Sequence, residues 1–463
     1  MINTPVSPVG AEKEQNFQRV IPMSLLAREI TYKSLLRFAA PTILSYLFLN
    51  IYFIIDGVLV ARAVGTAGLA AVNLTMPVFA FIMALATVIS TGGGALIASL
   101  LGKGKTELAR QGFTFLVVCC VLGSTFLALL SVAFLSPLLA FFGADAALFP
   151  LCKAYVVSLL LSGPFIMCGM VLDSFLVVEG RPTLSLVSAM LGGLVNIVLD
   201  YLFLFGWGMG IEGAGIASGI GYSCSALVGL AYFGLWRGGT LALVKPVPRW
   251  AVLKKSVANG ASEMVTMLSV GVVVIVTNNI MMELAGEDGV AAIAVAEYAE
   301  ELLISVYLGY AEGVAPLMSY NYGARDHEKM HGIFRFSLRI IAVFAALFFA
   351  ASLAIAEPLA AVFVEGSEAV LRLAAHGFRI FCARFLFIGF NIYMSSLFTA
   401  LNDDRTSALL SFADGLVFLL GMLLLLPRFF GLDGVWLAKP AAEILSLALA
   451  FWLFKENRRA HGL

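Results

Sequence analysis

Charge is scarce in this 463-residue chain: 13% of residues are Asp, Glu, Lys or Arg, against 61% that are hydrophobic. Soluble domains carry roughly twice that charged fraction and about 45–50% apolar residues, so a cytosolic enzyme is excluded and a membrane-embedded chain is expected. The net charge is +0 and no long basic run is present, which argues against a nucleic-acid surface. Cysteine is sparse as well. Cys119, Cys120, Cys152, Cys168, Cys224 and Cys382 show no Cys-x-x-Cys spacing and lie in or beside apolar stretches, so they read as small buried hydrophobes rather than a disulfide or metal framework. A secretory leader is not expected, because Glu12, Lys13, Glu14, Arg19, Arg28 and Glu29 interrupt any apolar core near the start.

Apolar helix is what the sequence has in abundance. A spanning helix needs ~20 mostly apolar residues, and breaks at polar and Gly/Pro clusters predict twelve spans: 35–60, 76–101, 112–137, 150–178, 184–206, 211–236, 256–284, 290–319, 333–360, 371–401, 405–428 and 434–455. The expected fold class is therefore an all-α membrane protein. The stretch 237–255 is long and basic, with Lys245, Pro246, Pro248, Arg249, Lys254 and Lys255, and reads as a linker between two groups of six. The organisation becomes a cytoplasmic segment 1–34, a first lobe 35–236, a basic cytoplasmic linker 237–255, a second lobe 256–455 and a cytoplasmic tail 456–463. With both termini inside, the inner segments collect most bases, including Lys103, Lys105, Arg110, Arg181, Arg237, Arg325, Lys329, Arg335, Arg405 and Lys455, while the outer loops hold little beyond Arg62 and Arg428. That asymmetry predicts a multi-pass plasma-membrane protein with cytoplasmic ends.

The two groups of spans resemble each other. Gly68-Leu-Ala-Ala-Val72 matches Gly289-Val-Ala-Ala-Ile293, and Ile211-Glu-Gly-Ala-Gly-Ile-Ala217 matches Leu432-Asp-Gly-Val-Trp-Leu-Ala438, both at an offset of 221. The segments around Gly94 and Gly104 match those around Gly313 and Gly323 at almost the same spacing. Six spans per repeat make corresponding helices parallel, an architecture of secondary transporters with a central site between lobes.

Several segments, in this order, are specific in combination: Pro41 and Asp56 in the first span, Asp56-Gly-Val-Leu-Val-Ala-Arg-Ala-Val-Gly65, Glu179-Gly-Arg-Pro182, Asn196 with Asp200, Gly213-Ala-Gly-Ile-Ala-Ser218, and Pro316-Leu-Met-Ser-Tyr-Asn-Tyr-Gly-Ala324. Across essentially the whole chain the sequence resembles the multidrug and toxic compound extrusion (MATE) family. The last segment is most similar to the bacterial branch with staphylococcal-type multidrug exporters and DNA-damage-inducible members. The resemblance implies twelve helices in two pseudo-symmetric six-helix lobes and export of organic cations or amphipathic drugs against protons or sodium ions. It implies a coupling-ion site on Asp56, Asn196, Asp200 and Ser218, where Thr is frequent in place of Ser218, and a bend at Pro41 associated with proton-linked movement. Glu263 matches an acidic position important in many relatives. The sodium-linked branch has an acid in the tenth helix, whereas Gly389, Phe390 and Asn391 supply none here.

The residues point the same way on physical grounds. A charge at the bilayer centre costs ~2.5–3.5 kcal/mol, so intramembrane charges usually face a cavity and carry function. Asp56, Asp173, Asp200, Glu263, Glu297, Glu300, Glu301, Glu312, Asp414 and Glu443 fall within spans, opposed by Arg379, Arg384 and Lys439. This acidic excess favours cationic cargo and small cations. Asn196 and Asp200 share one helix face, and Asp56 and Ser218 fall at a similar depth. Two carboxylates close together in low dielectric do not both ionise easily, so such a layer suits a proton or a hard cation. Glu297, Glu301 and Glu312 form a stripe that either lines the cavity or pairs with Arg379 and Arg384, with Glu300 to one side. Kinking of the first helix is expected at Pro41. No substrate-contact residue is singled out among the 36 Phe, 16 Met, 13 Tyr and 5 Trp.

Two motifs imitate other chemistry. His327-Glu-Lys-Met-His331 matches the zinc-protease pattern, but it falls in a short turn after the eighth span with no evident third ligand. Gly104-Lys-Thr106 resembles the end of a phosphate-binding loop, but Ser99 occupies the earlier glycine position and a transmembrane helix precedes it. The expectation is a non-enzymatic transporter, monomeric, in contact with lipid and small-molecule drug or organic cation substrates, with no cofactor beyond transported H+ or Na+. The alternatives are a lipid-linked oligosaccharide flippase and, remotely, an intramembrane metalloprotease.

Overall fold

A computed structural model describes residues 29–141, 148–236, 239–363 and 368–463, and among these there is no strand. Lys13, Arg19, Arg28 and Arg237, and most of the segment expected in the cytoplasm, lie outside the described residues. The long apolar helices are α1 Tyr32–Gly65, α2 Leu74–Gly102, α3 Thr106–Ala133, α4 Phe149–Val178, α5 Pro182–Gly206 and α6 Ile211–Leu235. They continue with a helical run Trp250–Ala324, then α9 His327–Pro358, α10 Val370–Ala400, α11 Asp404–Phe430 and α12 Leu432–Arg458. The 75-residue run would be ~110 Å long at 1.5 Å per residue, against a hydrocarbon core of ~30 Å. It is divided at Gly286, whose φ of 63° and ψ of −154° leave the helical region. This yields α7 (250–286) and α8 (287–324), completing twelve spans.

Gly65 breaks the first pair of helices in the same way, with φ 73° and ψ −168°. Such dihedrals are open to glycine and costly for a residue with a Cβ. The two breaks are 221 residues apart, and other positive-φ positions follow the same repeat: Gly210 with Gly431, Gly104 with Arg325 and, one residue further, Gly180 with Asn402. The internal similarity of the sequence is therefore a repetition of backbone geometry, in two six-helix lobes.

The helices overrun the hydropathy-based spans because their polar ends are still good helix formers. The third begins at Thr106, where Gln111 Nε2 donates to Glu107 Oε1 one turn earlier at 2.8 Å. Within the first lobe α6 packs on both α4 and α5, and α5 also meets α1; within the second, α11 and α12 are close partners. Phe113 anchors one core cluster, its ring 4.7 Å from both Phe175 and Phe233. Phe378, Phe381, Phe385 and the buried Trp436 anchor another.

One end of the bundle forms a basic rim shared by both lobes. Lys103 lies there; its partial burial, followed by repulsion from Lys255, Lys105 and Arg325, holds it below the ordinary lysine value. Beside it the lobes touch backbone to backbone. A Cβ on Gly102 would strike the Tyr320 carbonyl, and one on its repeat mate Gly323 would strike that of Ser99. Small residues of this kind let helices approach closely where side chains would separate them. Further along the interface Asn50 Nδ2 donates to Ser305 Oγ.

The linker is fastened to the first lobe. Glu179 accepts the N–H groups of Thr240 at 2.5 Å and Leu241 at 2.8 Å, and Arg110 Nε donates to the Thr240 carbonyl at 2.6 Å. Burial pushes the Glu179 carboxyl above its ordinary value, against the opposing pull of these N–H groups. Val244 N–H donates to Thr114 Oγ1 at 3.1 Å, and Arg249 Nε to Gln111 Oε1 at 3.1 Å. Trp250, the first residue of α7, packs edge-on against Phe115 at 5.2 Å.

Candidate functional site

In the first lobe the four residues expected to share a layer do so. Asp200 is 0% exposed, Asn196 1% and Ser218 4%; Asp56 reaches the group from α1 and is half-buried. Asn196 Nδ2 donates to Ser218 Oγ at 3.2 Å, tying α5 to α6. Asp56 and Asp200 are near neighbours whose carboxyls act on each other. A hydrogen bond between two carboxyls requires one of them to hold a proton. With both ionised, the two oxygens of Asp200, one of Asp56 and the Asn196 carbonyl oxygen are buried acceptors without a protein donor. Such a set demands a positive charge, since leaving buried acceptors unmet is costly. Among the described residues no Lys or Arg forms an ion pair with either carboxylate. Asp200 lies two residues before a wide π-helical turn, Leu202–Gly206, a distortion frequent at functional sites.

Tyr52, Tyr155 and Tyr222 surround this layer within electrostatic range of Asp56. Sequence reasoning passed over them because tyrosine in a membrane helix has many structural uses. A second acid, Asp173 of α4, meets Ser188 of α5 and Ser225 of α6, and Ser225 Oγ donates to the Ser188 carbonyl at 3.0 Å. Pro41 cannot donate to the Arg37 carbonyl, yet α1 keeps helical dihedrals through it; its non-helical residue is Gly65. The hydroxyl of Ser45 donates to the Pro41 carbonyl at 3.0 Å.

The second lobe has different chemistry. Glu300, set to one side by the helical wheel, is the hub of an ion network: Lys439 Nζ donates to Glu300 Oε2 at 2.8 Å and to Glu297 Oε1 at 3.2 Å. Arg384 pairs with Glu300 and donates through Nε to Glu443 Oε1 at 2.8 Å. Asn391 Nδ2 donates to Glu443 Oε2 at 2.6 Å, and the Lys439 ammonium stands 5.0 Å from the Phe381 ring centroid. Arg384 projects from a 3-10 turn, Cys382–Leu386, that interrupts α10.

The expected stripe of Glu297, Glu301 and Glu312 is therefore divided. Glu297 joins the network and Glu301 is exposed. Glu312 instead lies near Glu263 and Tyr46, bringing α8, α7 and α1 together. Arg379, offered as a partner for the stripe, pairs with the exposed Glu357 at 2.6 Å instead. A wheel drawn on one helix does not show what the neighbouring helices present.

His327 Nδ1 is 3.0 Å from the Gly462 carbonyl, and His331 Nδ1 is 2.7 Å from the His327 carbonyl. Both rings are engaged with backbone of the helix ends around them. Among the described residues no group of three or more His, Cys, Asp or Glu is placed to hold a metal ion.

Comparison with known proteins agrees with this architecture. The MatE family model matches residues 41–202 and again 263–424, displaced by nearly the offset of the internal repeat. The multidrug export protein MepA of Staphylococcus aureus strain NCTC 8325 is 22% identical over 419 residues, covering 90% of this chain and 92% of that protein. MepA of Staphylococcus saprophyticus is 23% identical over 420 residues, with the same coverage. A crystal structure of MATE in complex with MaL6 superposes with a TM-score of 0.89 at 23% identity, covering 94% of this chain and 98% of that one. The outward-facing conformation of a multidrug resistance MATE family transporter of the MOP superfamily gives 0.89 at 23%, covering 95% and 98%. Two matches that together span most of the length, on a repeated twelve-helix bundle, establish that the chain belongs to the MatE family and is a multi-pass membrane transporter, not an enzyme.

Proposed function

We propose that the protein is a secondary active efflux antiporter that exports organic cations or amphipathic drugs in exchange for protons or sodium ions, by alternating exposure between its two lobes. The observation that carries this reading is the layer of Asp56, Asn196, Asp200 and Ser218: buried oxygens converging from three helices with no basic partner among the described residues. A proton or a sodium ion satisfies these acceptors, and its release leaves a state of different energy. Such a difference couples an ion gradient to a conformational equilibrium. MepA, named as a multidrug export protein, supports drug cargo, and Glu263 with Glu312 beside Tyr46 supplies a second acidic region of the right sign for cations. Bending of α1 at Pro41, whose ring removes one backbone hydrogen bond, is assigned to the same movement.

The protein acts as a monomer in the plasma membrane with both termini cytoplasmic, the basic rim inward, and lobes 35–236 and 256–455 joined by 237–255. An acidic layer is the wrong sign for the pyrophosphate of a lipid-linked oligosaccharide. The test is ethidium efflux from everted vesicles energised in turn by a pH gradient and by a sodium gradient. Accumulation driven by at least one of them is expected; indifference to both overturns the antiporter reading.

A further inference from the structure

The sequence register between the lobes places an unlike pair of residues in one position. The residue that follows Ile211-Glu-Gly-Ala-Gly-Ile-Ala217 is Ser218, and the residue that follows Leu432-Asp-Gly-Val-Trp-Leu-Ala438 is Lys439. The backbone fixes the same register, since the break at Gly210 before α6 is matched by the break at Gly431 before α12. A hydroxyl of the candidate ion layer in the first lobe is thus an ammonium in the second. The other mates have changed as well: at the same offset Asp56 corresponds to Thr277 and Asp200 to Gly421. The second lobe has lost the carboxylates of the first layer and gained a base.

We propose that Lys439 is a built-in cation that fills, in the second lobe, the role an exchangeable ion fills in the first, so that the Glu297–Glu300 cluster takes no coupling ion of its own. The proposal rests on the reading of the Asp56–Asp200 layer given above. Its geometry is that of a held ion. Lys439 is buried, 8% exposed, and its ammonium is held by Glu300 at 2.8 Å, Glu297 at 3.2 Å and the face of Phe381 at 5.0 Å. Arg384, tied to Glu300 and Glu443, is a second fixed charge that shares Glu300 with it. An ammonium on a four-carbon stem is a compact point charge and stands where a soluble monovalent cation would otherwise be drawn.

Removing it leaves Glu297, Glu300 and Glu443 facing Arg384 alone. Carboxylate oxygens in that number suit a hard cation, so the second lobe of such a variant should acquire an ion site that the natural protein lacks. Lys439→Ser restores the residue of the first repeat at the mated position.

The experiment uses the full chain in nanodiscs with Asp200→Asn as background, which removes the first-lobe layer, and with sodium chloride or choline chloride as the probe salts. Sodium is expected to raise the melting temperature of the Lys439→Ser/Asp200→Asn protein by several degrees, and radioactive sodium should bind at one ion per chain. Neither effect is expected in Asp200→Asn alone or in Lys439→Arg/Asp200→Asn. A folded double variant that sodium neither stabilises nor binds to overturns the proposal. Should the double variant aggregate in choline, recovery of folded protein in sodium supports the proposal and aggregation in both salts counts against it. Failure of the first-lobe reading is separately visible, as undiminished gradient-driven efflux by Asp200→Asn with the sodium result unaffected.

Discussion

The two lobes repeat one backbone, down to the residues where the helices break, yet they treat buried charge in opposite ways. In the first, Asp56 and Asp200 face each other with an amide and a hydroxyl nearby. In the second, Glu300 and Glu443 are bound to Arg384, and Glu300 is bound again to Lys439. Buried ion pairs contribute little net stability because desolvation consumes most of the Coulombic gain, but removing one partner strands the other. The Glu300–Glu443 cluster, whose acids have permanent partners, is electrically settled; on the antiporter reading, the Asp56–Asp200 layer, whose acids lack them, changes state with its ion. The scaffold occurs twice, and the side chains at matched positions differ, as Ser218 and Lys439 show.

The largest expected effect tests the responsive half. Asp56→Asn or Asp200→Asn should reduce ion-driven efflux to the level of vesicles without the transporter, at equal protein content; undiminished transport by both variants would remove the basis of the comparison. Next, Glu300→Gln should cost about 3 kcal/mol of stability by leaving buried bases under-neutralised, read from unfolding in detergent. Asp200→Asn should cost far less, because no base loses its partner, and equal losses would erase the distinction between the lobes.

The smallest effect concerns the turns of the basic rim. Asp326 caps α9 by accepting the Lys329 N–H at 3.1 Å, whereas its repeat mate Lys105 gives α3 no side-chain cap. Asp326→Ala should therefore cost about 1 kcal/mol, and Lys105→Ala nothing measurable. The Lys329 N–H is the main cause that holds the Asp326 carboxyl below its ordinary 3.8. The cap's contribution is thus fully present above that value and is lost as the pH falls through the lower folded-state value. Hydrogen exchange in the first turn of α9, followed with pH, reads both changes.

Much of this was legible before any coordinates. Hydropathy located the spans, and the i, i+4 pair Asn196 and Asp200 pointed at the first-lobe layer, because both signals are local to one helix. The hub at Glu300 was not legible. Its partners arrive from α10 and α12, far away in sequence, and the period of α8 alone turned Glu300 away from the acidic stripe. Gly65 and Gly286 fall inside the predicted gaps 61–75 and 285–289, but the form of the break was not legible: hydropathy reports where a helix leaves the bilayer, whereas one residue with positive φ turns it without a loop. Arg379 and Arg384 looked equivalent on one helix, and only the 3-10 turn at Cys382–Leu386 separates a surface base from a buried one.

The fastening of the linker has a mechanical meaning. Residues 239–249 are pinned to α3 and α4, and α7 starts at once with Trp250 seated on Phe115. The covalent crossing between lobes therefore has almost no slack and behaves as a hinge pin, not a leash. Sliding of one lobe past the other along the membrane normal would tear these contacts, while tilting about the pin preserves them. With α7 extending roughly 55 Å from that point at 1.5 Å per residue, a rotation of about 10° at the pin would carry its far end about 10 Å, which is the leverage the proposed alternation between lobes would use.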